Sequence, residues 1–190
     1  EDLENEIKKR LAYFPDLKWI VSVRNPYAYV ESIMRKATFQ MEPIRQLDQI
    51  CFHVLRTLEI QIENAKLLGD NAYVMTYEDF VKRPEHHREE MAKFIPELKS
   101  INFDSELMIK GQKVDSIKDD SPLKVQNMID NVPNIINMIN EYFIPKEHLL
   151  KHWGYELMTP EKAQKTHTRI LIMGLQGAGK TFLSKALKKY

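Results

Sequence analysis

Residues 169–181 read RILIMGLQGAGKT, a short apolar run followed by a glycine-rich loop. The run predicts a buried strand, and residues 182–189 predict a helix directly after the loop. Glycines in such a loop let backbone N–H groups surround a phosphate, because no Cβ is in the way. A glycine turn that binds nothing is the alternative. The loop meets the pattern G-x-x-x-x-G-K-[ST] at every fixed position, which Gly174, Gly179, Lys180 and Thr181 occupy.

Length and composition indicate one domain, residues 1–190, that ends in the strand–loop–helix unit 169–190 after a polar connector at about 158–168. The net charge of +1 gives no reason to expect nucleic acid or an anionic membrane as a partner. The single cysteine, Cys51, leaves no internal disulfide and suits a reducing compartment, so we expect a cytoplasmic protein with this thiol buried. The chain begins without methionine and ends on Lys-Lys-Tyr, which we interpret as a fragment.

Strand and helix patterns alternate along the chain, which favours an α/β class. We therefore expect a parallel-sheet P-loop nucleotide-binding fold with helices on both faces and ligands at the carboxyl ends of the strands. Residues 100–121 lack periodicity and predict a long loop, of the kind that is often functional. Strands are predicted at 17–23 and 72–75, and helices at 1–13, 26–35, 47–68, 84–96, 123–142 and 146–153.

Arg24 follows the first predicted strand, and Ser32 lies about two turns into the helix that Pro26 begins. An arginine at the carboxyl end of a strand needs water or an anion as a partner, and its planar fork matches a phosphate. By this argument alone a structural salt bridge explains Arg24 as well as a phosphate contact does. Glu78, which follows the second predicted strand, is a candidate for such a salt bridge.

Residues 14–35 read FPDLKWIVSVRNPYAYVESIMR, which resembles the segment of P-loop sulfotransferases that binds the 3′-phosphate of 3′-phosphoadenosine-5′-phosphosulfate (PAPS). In that family an Arg before Asn/Asp-Pro and a Ser eight residues later bind this phosphate, which corresponds to Arg24 and Ser32. YVMTYEDFVKRPE at 73–85 is similar to the family's next strand and helix, and HWGYE at 152–156 resembles its C-terminal Leu-Gly-Tyr signature. The resemblance is specific as a set rather than by any one motif.

The likeness covers residues about 10–157 and departs from the family in the position of the phosphate loop. Sulfotransferases carry their 5′-phosphate loop before the Arg-Asn-Pro strand, whereas this chain carries one at 174–181. One explanation is circular permutation, with the strand 169–173 in the same sheet as 18–23. The other is a fusion of a sulfotransferase piece to a truncated P-loop kinase, because the loop also resembles the start of adenylyl-sulfate kinases, which bind ATP with Mg²⁺.

The resemblance implies a sulfotransferase that binds PAPS or 3′,5′-ADP and transfers a sulfuryl group to a hydroxyl or amine acceptor, whether a small molecule or a carbohydrate. Lys180 would stabilise the charge of the leaving phosphate, and the catalytic base is not assigned. A catalytically silent nucleotide-binding module is a further alternative, a homodimer stays open, and no metal site is predicted. The implied ligand-binding residues are Arg24, Ser32, Gly174, Gly177, Ala178, Gly179, Lys180 and Thr181.

Overall fold

The structure is a computed structural model that describes the chain from residue 3 to residue 159, with gaps. The described residues are 3–37, 46–100, 107–109, 112–114, 119–132 and 134–159. The helices are α1 (Leu3–Tyr13), α2 (Pro26–Ala37), α3 (Leu47–Leu68), α4 (Tyr77–Lys82), α5 (Pro84–Phe94), α6 (Ser121–Asn131), α7 (Ile135–Phe143) and α8 (Glu147–His152). The strands are β1 (Trp19–Val23), β2 (Ala72–Thr76), β3 (Leu107–Ile109) and β4 (Gln112–Val114).

The predicted fold class, a parallel-sheet P-loop fold with helices on both faces, is wrong for the described part of the chain. Helices dominate there, and the parallel sheet consists of β1 and β2 alone, with Val21 opposite Val74. Strands β3 and β4 form a separate antiparallel pair. The sheet buries Val21 and Val23 on the side of α3, whereas Ile20 and Val74 are 46% and 43% exposed. Val74 lies opposite Val21 and therefore on the same face, so β1 is packed against the helical core more closely than β2 is.

The hydrophobic core lies among α1, β1, α2, α3, α6, α7 and α8. Tyr27 of α2 is its central aromatic residue: its ring meets that of Phe143 edge-on, with 5.1 Å between the ring centroids. Its hydroxyl donates to Asn140 Oδ1 at 2.6 Å and accepts from the Met158 N–H at 3.0 Å. The Trp153 indole also donates to the Leu58 carbonyl at 3.2 Å. These bonds hold the segment after α8 against the core.

Several local predictions are confirmed, and two are wrong. Helix α3 has the predicted bounds, and Cys51 within it is fully buried, which raises the pKa of its thiol to about 12. The expected long loop 100–121 instead contains β3 and β4, because strands of three residues are too short to show a period. The single helix expected at 123–142 is divided into α6 and α7. The sequence has Pro133 between them, and proline cannot donate the next helical hydrogen bond.

A chain of polar contacts joins β2, α4 and α5. Thr76 caps α4 by accepting from the Asp79 N–H at 3.2 Å, so the helix begins at Tyr77. The Asp79 carboxylate accepts from Arg83 and lies 2.9 Å from His87 Nε2, while His87 Nδ1 lies 2.6 Å from the Tyr73 hydroxyl. His87 is therefore buried, with only 4% of its surface exposed.

The ion pair of Asp79 makes a pH-dependent contribution to stability. Hydrogen bonding from Arg83 and then from His87 lowers the pKa of Asp79 to about 2, from an ordinary value of 3.8. Because the folded pKa lies below the unfolded one, the contribution is complete above pH 3.8 and is lost as the pH falls towards 2. We predict that Asp79→Asn lowers the urea midpoint at pH 7. The difference in midpoint between the variant and the parent protein should shrink as the pH falls from 4 to 2. Glu97→Gln, at an exposed position, is the control; a difference that is constant with pH would contradict the linkage.

Candidate functional site

The site is organised around Arg24, which directly follows β1. Parallel strands end at the same edge of a sheet, and Tyr77, which follows β2, meets Arg24 there. The Arg24 guanidinium carbon lies 4.6 Å from the centroid of the Tyr77 ring, a cation–π geometry. Its Nε and Nη2 each donate to Ser121 Oγ at 3.2 Å, and Nη2 forms an ion pair with Asp120. The side chain is therefore held on three sides.

The candidate salt bridge between Arg24 and Glu78 is wrong, because Glu78 has three other partners. Glu78 Oε1 accepts from the Asn25 N–H at 2.9 Å and from the Ser121 hydroxyl at 2.7 Å, and Oε2 accepts from the Tyr155 hydroxyl at 2.6 Å. Burial and then the bond to Glu78 raise the pKa of Tyr155, so its proton stays on the phenol. We call Asn25, Glu78, Ser121 and Tyr155 the Glu78 cluster. Asn25 follows Arg24 in the chain, and Ser121 accepts hydrogen bonds from the Arg24 side chain.

Arg24 and Ser32 line one cavity of about 510 Å³, which we call the Arg24 cavity. Its wall is rich in cationic and hydroxyl side chains: Arg24, Arg35, Lys36 and Lys124, together with Tyr29, Ser32, Thr57 and Tyr77. Cations gathered around a concave surface attract an anion. Arg24 and Ser32, the two residues predicted from the sequence, therefore line the same cavity. Their role as phosphate ligands stays a prediction.

Helix α2 presents Ser32 to this cavity because its start is fixed by Asn25. The Asn25 side-chain oxygen accepts from the N–H groups of Tyr27 and Ala28 at 3.0 and 3.1 Å, which caps the helix. Two turns later the Ser32 hydroxyl donates to the Ala28 carbonyl at 2.9 Å. Rotation about one bond releases this hydroxyl to an incoming acceptor, and the carbonyl keeps its place in the helix.

Asp120 places a carboxylate between two of the cavity's cations. It pairs with Arg24 on one side and with Lys124 on the other, at 3.1 Å from Lys124 Nζ. Partial burial raises the pKa of Asp120, but the bonds from Lys124 and Arg24 outweigh it and the pKa is lowered. Sequence reasoning missed this residue and Ser121. The only signal was the polar run at 119–121 in the expected functional loop, because nothing local relates α6 to Arg24.

The predicted phosphate loop lies outside the described residues, so its distance from Arg24 is not defined by the structure. The residues concerned are Gly174, Gly177, Ala178, Gly179, Lys180 and Thr181. Histidine is absent from the described lining of the Arg24 cavity. Among the lining residues, Tyr29 has its hydroxyl 3.2 Å from Nε2 of His53. His53 itself is exposed.

Groups of three or more His, Cys, Asp or Glu side chains that could hold a metal ion are not found within the described ranges. In the same ranges, no helix combines the length and the apolar character that crossing a bilayer requires. Comparison with known protein families, curated proteins and solved structures gives no match for this chain.

The Glu78 cluster predicts an energetic coupling between Glu78 and Tyr155, which are distant in sequence but hydrogen-bonded to each other. In Glu78→Gln the new amide N–H₂ group faces donors, so at least one partly buried hydrogen bond is lost. We expect a decrease in the free energy of unfolding of about 1–3 kcal/mol. Tyr155→Phe removes one donor. We expect it to lower the free energy of unfolding by less in the Glu78→Gln background than in the parent protein.

Urea denaturation of both single variants and the double variant measures this coupling. Glu141→Gln and Tyr142→Phe, at exposed positions of α7, are the matched controls and should change stability little. Strictly additive effects of the two cluster substitutions would contradict the arrangement.

Proposed function

We propose that this chain is a sulfotransferase-like protein that binds PAPS or 3′,5′-ADP, with the 3′-phosphate of the nucleotide in the Arg24 cavity. The observation that carries the proposal is the convergence of Arg24, Ser32 and Lys124 on one concave surface at the end of β1. The first two residues are those that the Arg-Asn-Pro resemblance singles out. The third supplies a second cation from a helix distant in sequence.

The chemistry of the cavity fits a phosphate. The guanidinium of Arg24 offers parallel N–H donors that match two phosphate oxygens, and Lys124 adds a compact charge. The Ser32 hydroxyl supplies a further donor once it leaves the Ala28 carbonyl. The cavity volume of about 510 Å³ lies within the range of roughly 300–1,000 Å³ that is usual for small-ligand sites.

PAPS supplies an activated sulfuryl group, and transfer of such a group depends mainly on positioning and on stabilisation of charge. In this proposal Arg24 and Ser32 fix one end of the nucleotide. The loop from Gly177 to Thr181 binds the 5′-phosphate, and Lys180 stabilises the leaving-group charge. The acceptor carries a hydroxyl or an amine. The protein acts in the cytoplasm, because a single, buried cysteine suits a reducing compartment.

The second candidate function is ATP·Mg²⁺ binding by the loop with Lys180 and Thr181, as in a truncated P-loop kinase. The match of G-A-G-K-T to the loop pattern favours it. Such enzymes use an Asp at the end of an apolar strand to position Mg²⁺. Here β1 is followed by Arg24, and Asp79 after β2 is already bonded to Arg83 and His87. A catalytically silent nucleotide-binding module is the third candidate.

The test is isothermal titration calorimetry with two ligands that differ only at the 3′ position, 3′,5′-ADP and 5′-AMP. We predict that Arg24→Ala weakens 3′,5′-ADP binding by about 10- to 100-fold, since a hydrogen bond to a charged group contributes about 1.5–3 kcal/mol. Binding of 5′-AMP should change less than about twofold, because it lacks the phosphate that Arg24 contacts. Arg88→Ala, which removes an arginine paired with Glu85 on α5, is the matched control.

Other results would overturn the proposal or support one of the other candidate functions. Equal weakening of both ligands by Arg24→Ala would overturn the 3′-phosphate assignment. Metal-dependent ATP binding that Lys180→Ala abolishes and Arg24→Ala spares would support the kinase candidate. Failure of all three nucleotides to bind the parent protein would overturn both nucleotide assignments.

A second prediction concerns Asp120, whose carboxylate competes with an incoming phosphate for Arg24 and Lys124. In Asp120→Asn the competing charge is removed, so we expect 3′,5′-ADP to bind about two- to tenfold more tightly. Asp48→Asn, at an exposed position of α3, is the control. Weaker binding by Asp120→Asn would instead mean that Asp120 holds Arg24 in place for the ligand.

A further inference from the structure

Helix α2 borders a second cavity of about 470 Å³, which it shares with α6. Its apolar wall is formed by Met34, Met128 and Val132. Its polar wall includes Glu31, Arg35 and Asn127. We call it the Glu31 cavity. It differs from the Arg24 cavity in chemistry. Four cationic side chains line the Arg24 cavity, whereas one carboxylate and one cation line this one.

Glu31 is the unusual residue of this cavity, because it is a carboxylate only 6% exposed. Its Oε1 lies 3.2 Å from Arg35 Nε. Its Oε2 is shielded from solvent and accepts no hydrogen bond from the residues that the structure describes. A buried acceptor without a donor costs free energy, more so when it is charged, and native proteins rarely leave one without water, an ion or a ligand.

Packing does not account for Glu31. An apolar residue of similar volume at this helix position would fill the same space without the cost of burying a carboxylate. The terminal torsion of glutamate is soft, so its carboxylate can turn an oxygen towards a donor in the adjoining cavity. Apolar walls with a few polar groups that orient the ligand are typical of small-molecule sites, and the volume lies in their usual range.

We propose that the Glu31 cavity binds a small organic molecule that places an O–H or N–H donor against the Glu31 carboxylate. The apolar body of this molecule packs against Met34, Met128 and Val132. Arg35 already balances the charge of Glu31, so the ligand needs a donor rather than a net positive charge. The proposal does not depend on the phosphate site.

Two isomeric probes test the requirement for a donor, benzyl alcohol and anisole. They have the same atoms and nearly the same shape, but only benzyl alcohol has a donor. Binding is followed by NMR of the protein labelled at the methionine methyl groups. Benzyl alcohol should shift the Met34 and Met128 signals and leave that of Met91, a buried residue of α5, unchanged. Its affinity should exceed that of anisole roughly tenfold.

Substitutions at Glu31 test its role. Glu31→Gln keeps the shape of the side chain and removes its charge, so the preference for benzyl alcohol should decrease several-fold. Glu31→Leu removes the acceptor, so the two probes should bind equally. Glu141→Gln is the matched control on α7 and should preserve the preference. If Glu31→Leu does not fold, the affinities of the two probes for the parent protein and for Glu31→Gln still test whether the carboxylate takes part in binding.

Three results would overturn the proposal. Equal affinities of the isomers for the parent protein would remove the requirement for a donor. Shifts in Met91 but not in Met34 and Met128 would place the probe elsewhere. Unchanged preference in Glu31→Gln would mean that the carboxylate charge takes no part in recognition.

Discussion

The carboxylate of Glu78 is the constraint on which the site depends. It accepts three hydrogen bonds from partners 53, 43 and 77 residues away in sequence: the Asn25 N–H, the Ser121 hydroxyl and the Tyr155 hydroxyl. Each partner belongs to a different segment, so one side chain joins the end of β1, the start of α6 and the chain after α8. A segment that moved away would leave a partly buried donor or acceptor unsatisfied, and this cost opposes the movement.

The position of Arg24 follows from this arrangement. Ser121 donates to Glu78 and accepts from Arg24, so the geometry of the cluster is transmitted to the guanidinium through one hydroxyl. Tyr77 covers one face of the guanidinium, and Asp120 neutralises part of its charge. These contacts orient Arg24, and an anion bound as proposed would replace a carboxylate instead of ordering a flexible side chain. Such preorganisation reduces the entropic cost of binding.

Helix α2 separates two cavities of different chemistry. Consecutive residues of a helix point about 100° apart, so Glu31 and Ser32 line different cavities although they are neighbours in sequence. Arg35 lines both cavities, because it follows Glu31 by one turn and Ser32 by three residues. A ligand in one cavity that draws on the Arg35 charge thus alters the electrostatics of the other.

The sequence by itself determined local elements: apolar periodicity predicted the bounds of α3 and the burial of Cys51. It also brought Arg24 and Ser32 into one cavity, because a strand, an Asn-Pro turn and a helix fix their separation locally. Only the tertiary structure decided that the described parallel sheet has two strands, since the periodicity of one strand does not show how many strands pair with it. It also decided that Asp120, not Glu78, meets Arg24, because residues 96 apart are brought together by packing that no local pattern encodes.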